Sequence, residues 1–288
     1  MPDLVEPLVS WYREHARDLP WRRPGFGAWG VLVSEFMLQQ TPVNRVIPSL
    51  EAWLRRWPTP IALASATPAE VVHLWANLGY PRRALWLRQA AEQIRDRHDG
   101  VVPREVPALL ALPGIGDYTA RAVAVFAYGE RHPVVDTNTR RVLARVRGGR
   151  SQPGPPSRRD LVVMEDLLPD DVETAAVVNA AMMELGATVC VARAPRCERC
   201  PLTDACEWRS AGYPDTGDVR RKQATYEGSD RQARGAVLRV LRETEGHALP
   251  VGAVRPEWRD PAQRERAIAS LVADGLAELA DGVLRLPR

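Results

Sequence analysis

Cys190, Cys197, Cys200 and Cys206 are the only cysteines of this 288-residue chain, spaced C-x6-C-x2-C-x5-C. Four thiolates in one short loop can converge on a single metal centre, and no thiol remains for any other task. Three chemistries compete for such a loop. Two disulfides would need an oxidising compartment, and the segment after Met1 has no apolar signal-peptide core. A structural zinc prefers two C-x2-C pairs on separate arms, whereas only Cys197 and Cys200 form such a pair. A 4Fe–4S cluster accepts four cysteines from one compact loop, and Pro195 and Pro201 stiffen its turns. The spacing favours the cluster.

Two carboxylates are placed where they could do acid–base work. Glu35 lies inside the apolar run Val31-Leu32-Val33-Ser34-Glu35-Phe36-Met37-Leu38. Desolvation there would raise its pKa and keep it protonated near neutrality, as a general acid requires; the competing reading is a glutamate on a solvent face. Asp136 follows Pro133-Val134-Val135 and precedes a helical pattern over Thr139–Val146. An N-cap is the commonest job for aspartate there, but a second carboxylate near a cleft could also stabilise an oxocarbenium-like sugar. Leu112-Pro113-Gly114-Ile115-Gly116-Asp117-Tyr118 joins two helical patterns, Val106–Ala111 and Tyr118–Ala127. Gly114 and Gly116 allow close backbone approach, and the amides of the next helix can hold a phosphate; a plain helix corner would explain the pattern too.

The elements that must position these residues read as helices. Thr41-Pro42 is expected to cap a helix through Val43, Val46, Leu50 and Trp53. Thr67-Pro68-Ala69-Glu70 has the form of a capping box, with Gly79 as the stop. Arg83 to Ile94 forms an amphipathic helix, with Leu87, Ala90, Ala91 and Ile94 on one face. Residues 148–158 are a loop by composition, and 213–229 read as a linker. Beyond it, a helix over Arg231–Glu245, a short element near Val251–Val254, a helix over Arg264–Leu276 and a hairpin turning at Asp281-Gly282 have the order of a winged helix.

Composition excludes rather than identifies. No apolar run approaches a membrane span, and a net charge of +3 permits nucleic acid without demonstrating it. Of 39 basic residues only Lys222 is lysine, so Schiff-base chemistry would have to use it.

Taken together, Leu19-Pro20-Trp21-Arg22, Ser34-Glu35-Phe36-Met37-Leu38-Gln39-Gln40-Thr41, Leu78-Gly79-Tyr80, Leu112–Ala120, Val135-Asp136-Thr137-Asn138 and Met183-Glu184-Leu185-Gly186-Ala187 leading into Cys190 carry a likeness. Over residues 8–212 the chain resembles the helix-hairpin-helix iron–sulfur DNA glycosylases, and within them the MutY-type adenine glycosylases. The resemblance implies an all-α, two-lobed fold over 1–212, with a hairpin lobe at 24–128 and an iron–sulfur lobe from 1–23 plus 129–212. A winged-helix-like module follows at 230–288. It implies a monofunctional enzyme that removes adenine mispaired with 8-oxoguanine or guanine in duplex DNA.

By the same resemblance Glu35 is the general acid and Asp136 the carboxylate that stabilises the sugar cation. Asn138 orients the site, and Tyr118 occupies the position of the attacking lysine in lyase-capable relatives. DNA and substrate contacts fall to Arg22, Gln40, Thr41, Leu78, Tyr80, Gly114 and Gly116, with Gln40 and Tyr80 wedging around the base opposite adenine. The four cysteines match the ligands of a 4Fe–4S cluster. The implied protein is a monomer in the cytoplasm, associated with the nucleoid and with no membrane partner. Two rivals are a thymine or uracil mismatch glycosylase of the same fold, against which Gln39-Gln40 argues, and a non-catalytic iron–sulfur DNA-binding protein. The pattern departs from the family at Asn179-Ala180, where Gln or Glu usually follows the asparagine. It departs again at the C-terminus, where a Nudix-like domain is usual.

Overall fold

The computed structural model describes residues 4–215, 225–255 and 257–288. The expected linker therefore lies largely outside the described residues, and Lys222 with it. Backbone neighbourhoods divide the chain into two bodies. One comprises Met1–Val31, Arg104–Leu110 and Ile115–Arg220; the other comprises Leu32–Pro103, Ala111–Gly114 and Arg221–Arg288. Residues 24–128, expected as one lobe, contribute to both.

The first body is built on helix α1 (Val5–His15), with the short α7 (Val106–Leu110), α8 (Asp117–Tyr128), α9 (Thr137–Val146), α10 (Arg158–Glu165), α11 (Val172–Thr188) and the short α12 (Glu207–Ser210). The apolar face of α1, Leu8 and Val9, meets Val142, Leu143 and Val146 of α9 and Val178, Met182 and Leu185 of α11. Val178, Met182 and Leu185 recur at four and three residues, as Val142 or Leu143 does with Val146, the spacing that gives a helix one apolar stripe. Gly186 lets α11 approach closest. A Cβ there would stand 2.7 Å from the Asn138 Cβ and 2.8 Å from the Asn138 carbonyl oxygen.

The second body holds α3 (Val43–Arg56), α4 (Pro60–Ala64), α5 (Pro68–Trp75) and α6 (Arg82–Arg97). Its core is aromatic: Trp53 stands edge-on to Trp57 at 4.6 Å and to Trp75 at 5.5 Å, geometry that aromatic quadrupoles prefer. The capping box at Thr67 and Glu70 forms as expected. Two helix ends differ from expectation. Thr41 does not cap α3, because its hydroxyl donates to the Leu78 carbonyl at 2.9 Å; Pro42 takes the cap position. Helix α5 stops at Trp75, where Ala76 turns to a φ of 47°, rather than running to Gly79.

Residues 225–288 belong to this second body. They form α13 (Asp230–Glu243), a strand β1 (Ala248–Pro250), α14 (Pro261–Ala273) and the hairpin β2 (Glu278–Ala280) and β3 (Val283–Arg285). The sheet is antiparallel in the order β1-β3-β2, with Leu284 opposite both Leu249 and Leu279. Asp281 and Gly282 have φ of 52° and 72°, as a tight two-residue hairpin turn requires. Two of the module's three expected helices form. The element near Val251 is a single 3-10 turn, and β1 just before it escapes periodicity because it is three residues long. Val237, Leu241, Ile268, Leu271 and Leu284 close around Val72 of α5, with Leu85 of α6 packed alongside.

Gly186→Ala should cost about 1–3 kcal/mol by overpacking, since two of the three nearest atoms are backbone. A urea-unfolding midpoint unchanged from wild type would refute the close approach.

Candidate active site and thiol centre

The run containing Glu35 is helix α2 (Gly27–Leu38). Val31 to Met37 are all buried, and Glu35 is 5% exposed. The solvent-face reading of this glutamate is thereby overturned. Its helix buries residues all round, so no face was free to carry the carboxylate into water.

Directly after α2, the chain turns through Gln39-Gln40-Thr41 beside the loop Ala76–Tyr80. Both turns are gathered by Arg83, the second residue of α6, which is 3% exposed. Its guanidinium donates to the carbonyls of Phe36 at 2.7 Å, Gln39 at 2.5 Å and Gly79 at 3.0 Å, and to the Thr41 hydroxyl at 3.2 Å. The rings of Trp75 and Tyr80 lie 5.3 and 5.4 Å from the same guanidinium carbon. Burial pulls its pKa down to about 10, which leaves it charged at neutral pH. Thr41 and Leu78 are thus buried partners in one knot, while Gln40 and Tyr80 project from it, Tyr80 with 48% of its surface exposed. Both have positive φ, 57° and 46°, a conformation that side chains disfavour. Gly114 belongs to this body too, at φ 76°; a Cβ there would stand 2.8 Å from Trp86 and 2.9 Å from Phe36.

In the first body Asp136 is the N-cap of α9. Its Oδ1 accepts from the Thr139 amide at 2.6 Å, and its Oδ2 accepts from Asn138 Nδ2 at 2.8 Å. The cap and the pairing with Asn138 coexist, one on each oxygen. The extended segment before it is held by Asn179, fully buried, which accepts from the Val134 amide at 2.8 Å and donates to the His132 carbonyl at 3.0 Å. The asparagine just before the departure at Ala180 is therefore a clamp on the extended segment that delivers Asp136. Gly116 precedes α8 as its N-cap, and Tyr118 stands in that helix's first turn.

Arg22, expected near substrate, donates to Glu184 at 2.8 Å, and Arg17 grips the same carboxylate at 2.6 and 2.9 Å. Burial pushes the Glu184 carboxyl up, but hydrogen bonds from Arg17 and Arg22 outweigh it and hold the group below the usual glutamate value. Glu184 follows Met183 in α11, so this ion triad fixes the N-terminal arm against the helix that leads to the cysteines.

All four cysteines line one cavity of about 20 Å³ below α9. No disulfide joins them. Burial, reinforced by the other three thiols, pushes Cys200 up to about 12. Among the described residues no three His, Cys, Asp or Glu side chains converge as ligands of a single ion. Two buried arginines of α9 support the loop. Arg141 donates to the Cys190 carbonyl at 2.7 Å and to Asn138 at 2.8 Å; Arg145 reaches Cys190 Sγ at 3.3 Å and stacks on Trp208 at 4.6 Å.

Sequence reasoning named every loop here and missed the arginines and Glu184's partners that hold them. Arg83 could have been found: it falls on the stripe of Leu87, Ala90, Ala91 and Ile94, where a charge is out of place unless it has buried work.

Comparison with known proteins agrees with this architecture. The profile described as "HhH-GPD superfamily base excision DNA repair protein" matches residues 33–163. An adenine DNA glycosylase of Mycolicibacterium smegmatis is 56% identical over 96% of this chain and 93% of its own length. One from Mycobacterium tuberculosis is 52% identical over 97% and 92%. A solved thermostable thymine-DNA glycosylase superposes with a TM-score of 0.66 at 26% identity, covering 72% of this chain and 95% of that one. The chain belongs to the helix-hairpin-helix base excision repair superfamily and, within it, to the adenine DNA glycosylases. No helix among the described residues is long and apolar enough to cross a membrane.

Arg83→Lys keeps the charge but loses the planar fork, so it should destabilise the second body by about 2–3 kcal/mol. A denaturation midpoint equal to wild type would show that the guanidinium is dispensable.

Proposed function

We propose that the chain is a monofunctional adenine DNA glycosylase of base excision repair, cutting the bond from adenine to deoxyribose where adenine faces 8-oxoguanine or guanine. Near-full-length identity of 56% to an adenine DNA glycosylase carries the reading, and the burial of Glu35 supports its chemistry. The bond is inaccessible inside a duplex, so the adenine must leave the stack first. Glu35 then protonates the adenine ring, turning a poor anionic leaving group into a neutral one. Asp136 faces the positive charge that develops on the sugar, its two oxygens aimed by Thr139 and Asn138. Water adds at C1′, adenine departs and an abasic site remains. Tyr118 stands where lyase-capable relatives carry an amine, so the backbone is left uncut. Gln40 and Tyr80 wedge at the base opposite, Gly114 and Gly116 place amides near phosphate, and Arg22, anchored by Glu184, stands near the flipped adenine. The enzyme works as a cytoplasmic monomer on DNA.

The thiol loop fits a 4Fe–4S cluster: four sulfurs around one cavity, no competing carboxylate, and Arg141 and Arg145 to offset anionic charge. Cys190, Cys197, Cys200 and Cys206 would hold it, and its contribution is to staple the loop between α11 and α12.

Single-turnover excision measured on A:8-oxoguanine, A:G, A:C and T:G duplexes tests the substrate. Activity confined to T:G would transfer the chain to the thymine-mismatch rival. Glu35→Gln should lower excision about 10²-fold or more while duplex binding persists. Asp136→Asn should lose a similar factor with its helix intact, because asparagine caps as well as aspartate. Near-normal excision by either variant would end that assignment. Protein purified anaerobically should be yellow-brown with about four irons per chain; stoichiometric zinc would exclude the cluster.

A further inference from the structure

The second body holds a cleft of about 610 Å³ between α13 and the loops that present Gln40 and Tyr80. Its α13 wall carries Arg231, Arg234, Arg239 and Arg242, one face of the helix, and Arg45 of α3 stands opposite. No aspartate or glutamate lines it among the described residues. Arg234 is neutralised by Asp274 at 2.6 Å. Among the described residues Arg242 bonds the neutral Asn77 side chain, at 3.2 Å, and Arg45 the Asn77 carbonyl, and neither has an ion pair. Arg239 is exposed and has no ion pair among the described residues. Burial lowers the Arg242 pKa most and the charge of Arg239, one turn away on the same wall, lowers it further, with Glu243 opposing, so two like charges stand together on a partly dry face of the cleft. Such repulsion persists only where something else repays it, and an entering anion would.

A second observation points to the same place. Gln40, Ala76 and Tyr80, three non-glycine residues with positive φ, all line this cleft. Strained backbone gathered at one cavity is a mark of ligand contact.

We propose that the cleft is a phosphodiester-binding site, in which the C-terminal module's Arg231, Arg239 and Arg242 seat the backbone of the DNA strand that Gln40 and Tyr80 enter. The proposal rests on the DNA-glycosylase reading and assigns the module a place in it. Module and wedge grip one strand together: the wedge meets bases, while the arginines meet phosphates and read no sequence. The site is built only because α13 docks on Val72 and Arg242 reaches Asn77, which bring a surface remote in sequence beside the wedge.

Full-length Arg231→Ala/Arg239→Ala removes two exposed side chains, leaving the apolar contacts of α13 intact. Binding to A:8-oxoguanine, A:G and A:T duplexes should weaken alike, by about fivefold per arginine near 0.1 M salt. The slope of log affinity against log salt should fall by about one unit for each. Excision at saturating enzyme should keep its wild-type rate, and Arg239→Lys should restore most of the slope lost at that position. An unchanged salt slope would overturn the proposal. So would a loss confined to A:8-oxoguanine, which would make the cleft a base reader. If wild type binds duplexes with the expected slope change in the variant yet releases no adenine, the activity reading fails and the cleft stands.

Discussion

One guanidinium holds two neighbouring loops of the second body in shape. Arg83 is buried, and burying a charge is costly unless every donor finds a partner. Here three carbonyls and a hydroxyl from two separate loops take up its two terminal nitrogens, while Nε stays buried without a partner among the described residues, and Trp75 and Tyr80 flank the guanidinium. The loops in turn need it. Gln40, Ala76 and Tyr80 sit in conformations that each cost on the order of 1–3 kcal/mol, and the guanidinium adds side-chain bonds to the local backbone ones in holding those turns. A lysine could not span the same set, because an ammonium has no fork. The exposed side chains of Gln40 and Tyr80 are therefore offered on backbone that is rigid before any ligand arrives.

The first body repeats the device with other partners. Glu184, its side chain fully buried, is matched by two arginines from the N-terminal arm, and Arg141 and Arg145 reach from α9 to the thiol loop. Arg141 also bonds Asn138, whose amide bonds Asp136. A continuous chain of hydrogen bonds thus runs from the loop of Cys190 to the carboxylate proposed to meet the sugar. Disturbing the thiol loop would tilt the start of α9 as well as loosen its own turns. Gly186 is part of the same arrangement, since any side chain there would push on Asn138.

Local rules explain what the sequence disclosed. The Thr67–Glu70 capping box, the Asp281-Gly282 turn and the cysteine spacing act over three to seven residues, and each was visible as written. Thr41 misled because a threonine before proline has a local explanation, while its real partner, Leu78, lies 37 residues away. Glu35 was ambiguous for the same reason: its burial depends on what covers α2. The strand β1 has too few residues for a period, and its pairing with β3 is made across more than thirty residues. Arg83 was legible as an anomaly on an apolar stripe, though not its purpose.

The C-terminal module shows why separable domains cannot be inferred from linkers alone. At about 60 residues a module stands near the lower limit for folding by itself. This one borrows Val72 and Leu85 from α5 and α6 to close its core, and sets His247 against His73 at 4.8 Å. Asp274 binds Arg234 within the module and Arg82 outside it, so a single carboxylate ties α14 to both α13 and α6. Truncation at the linker would therefore expose apolar surface on α5 and leave Arg82, next to Arg83, without its carboxylate. A shortened chain that lost activity would report on that damage before it reported on any contact with DNA. The module is part of the scaffold that presents Gln40 and Tyr80, and only substitutions on its exposed arginine face separate that duty from binding.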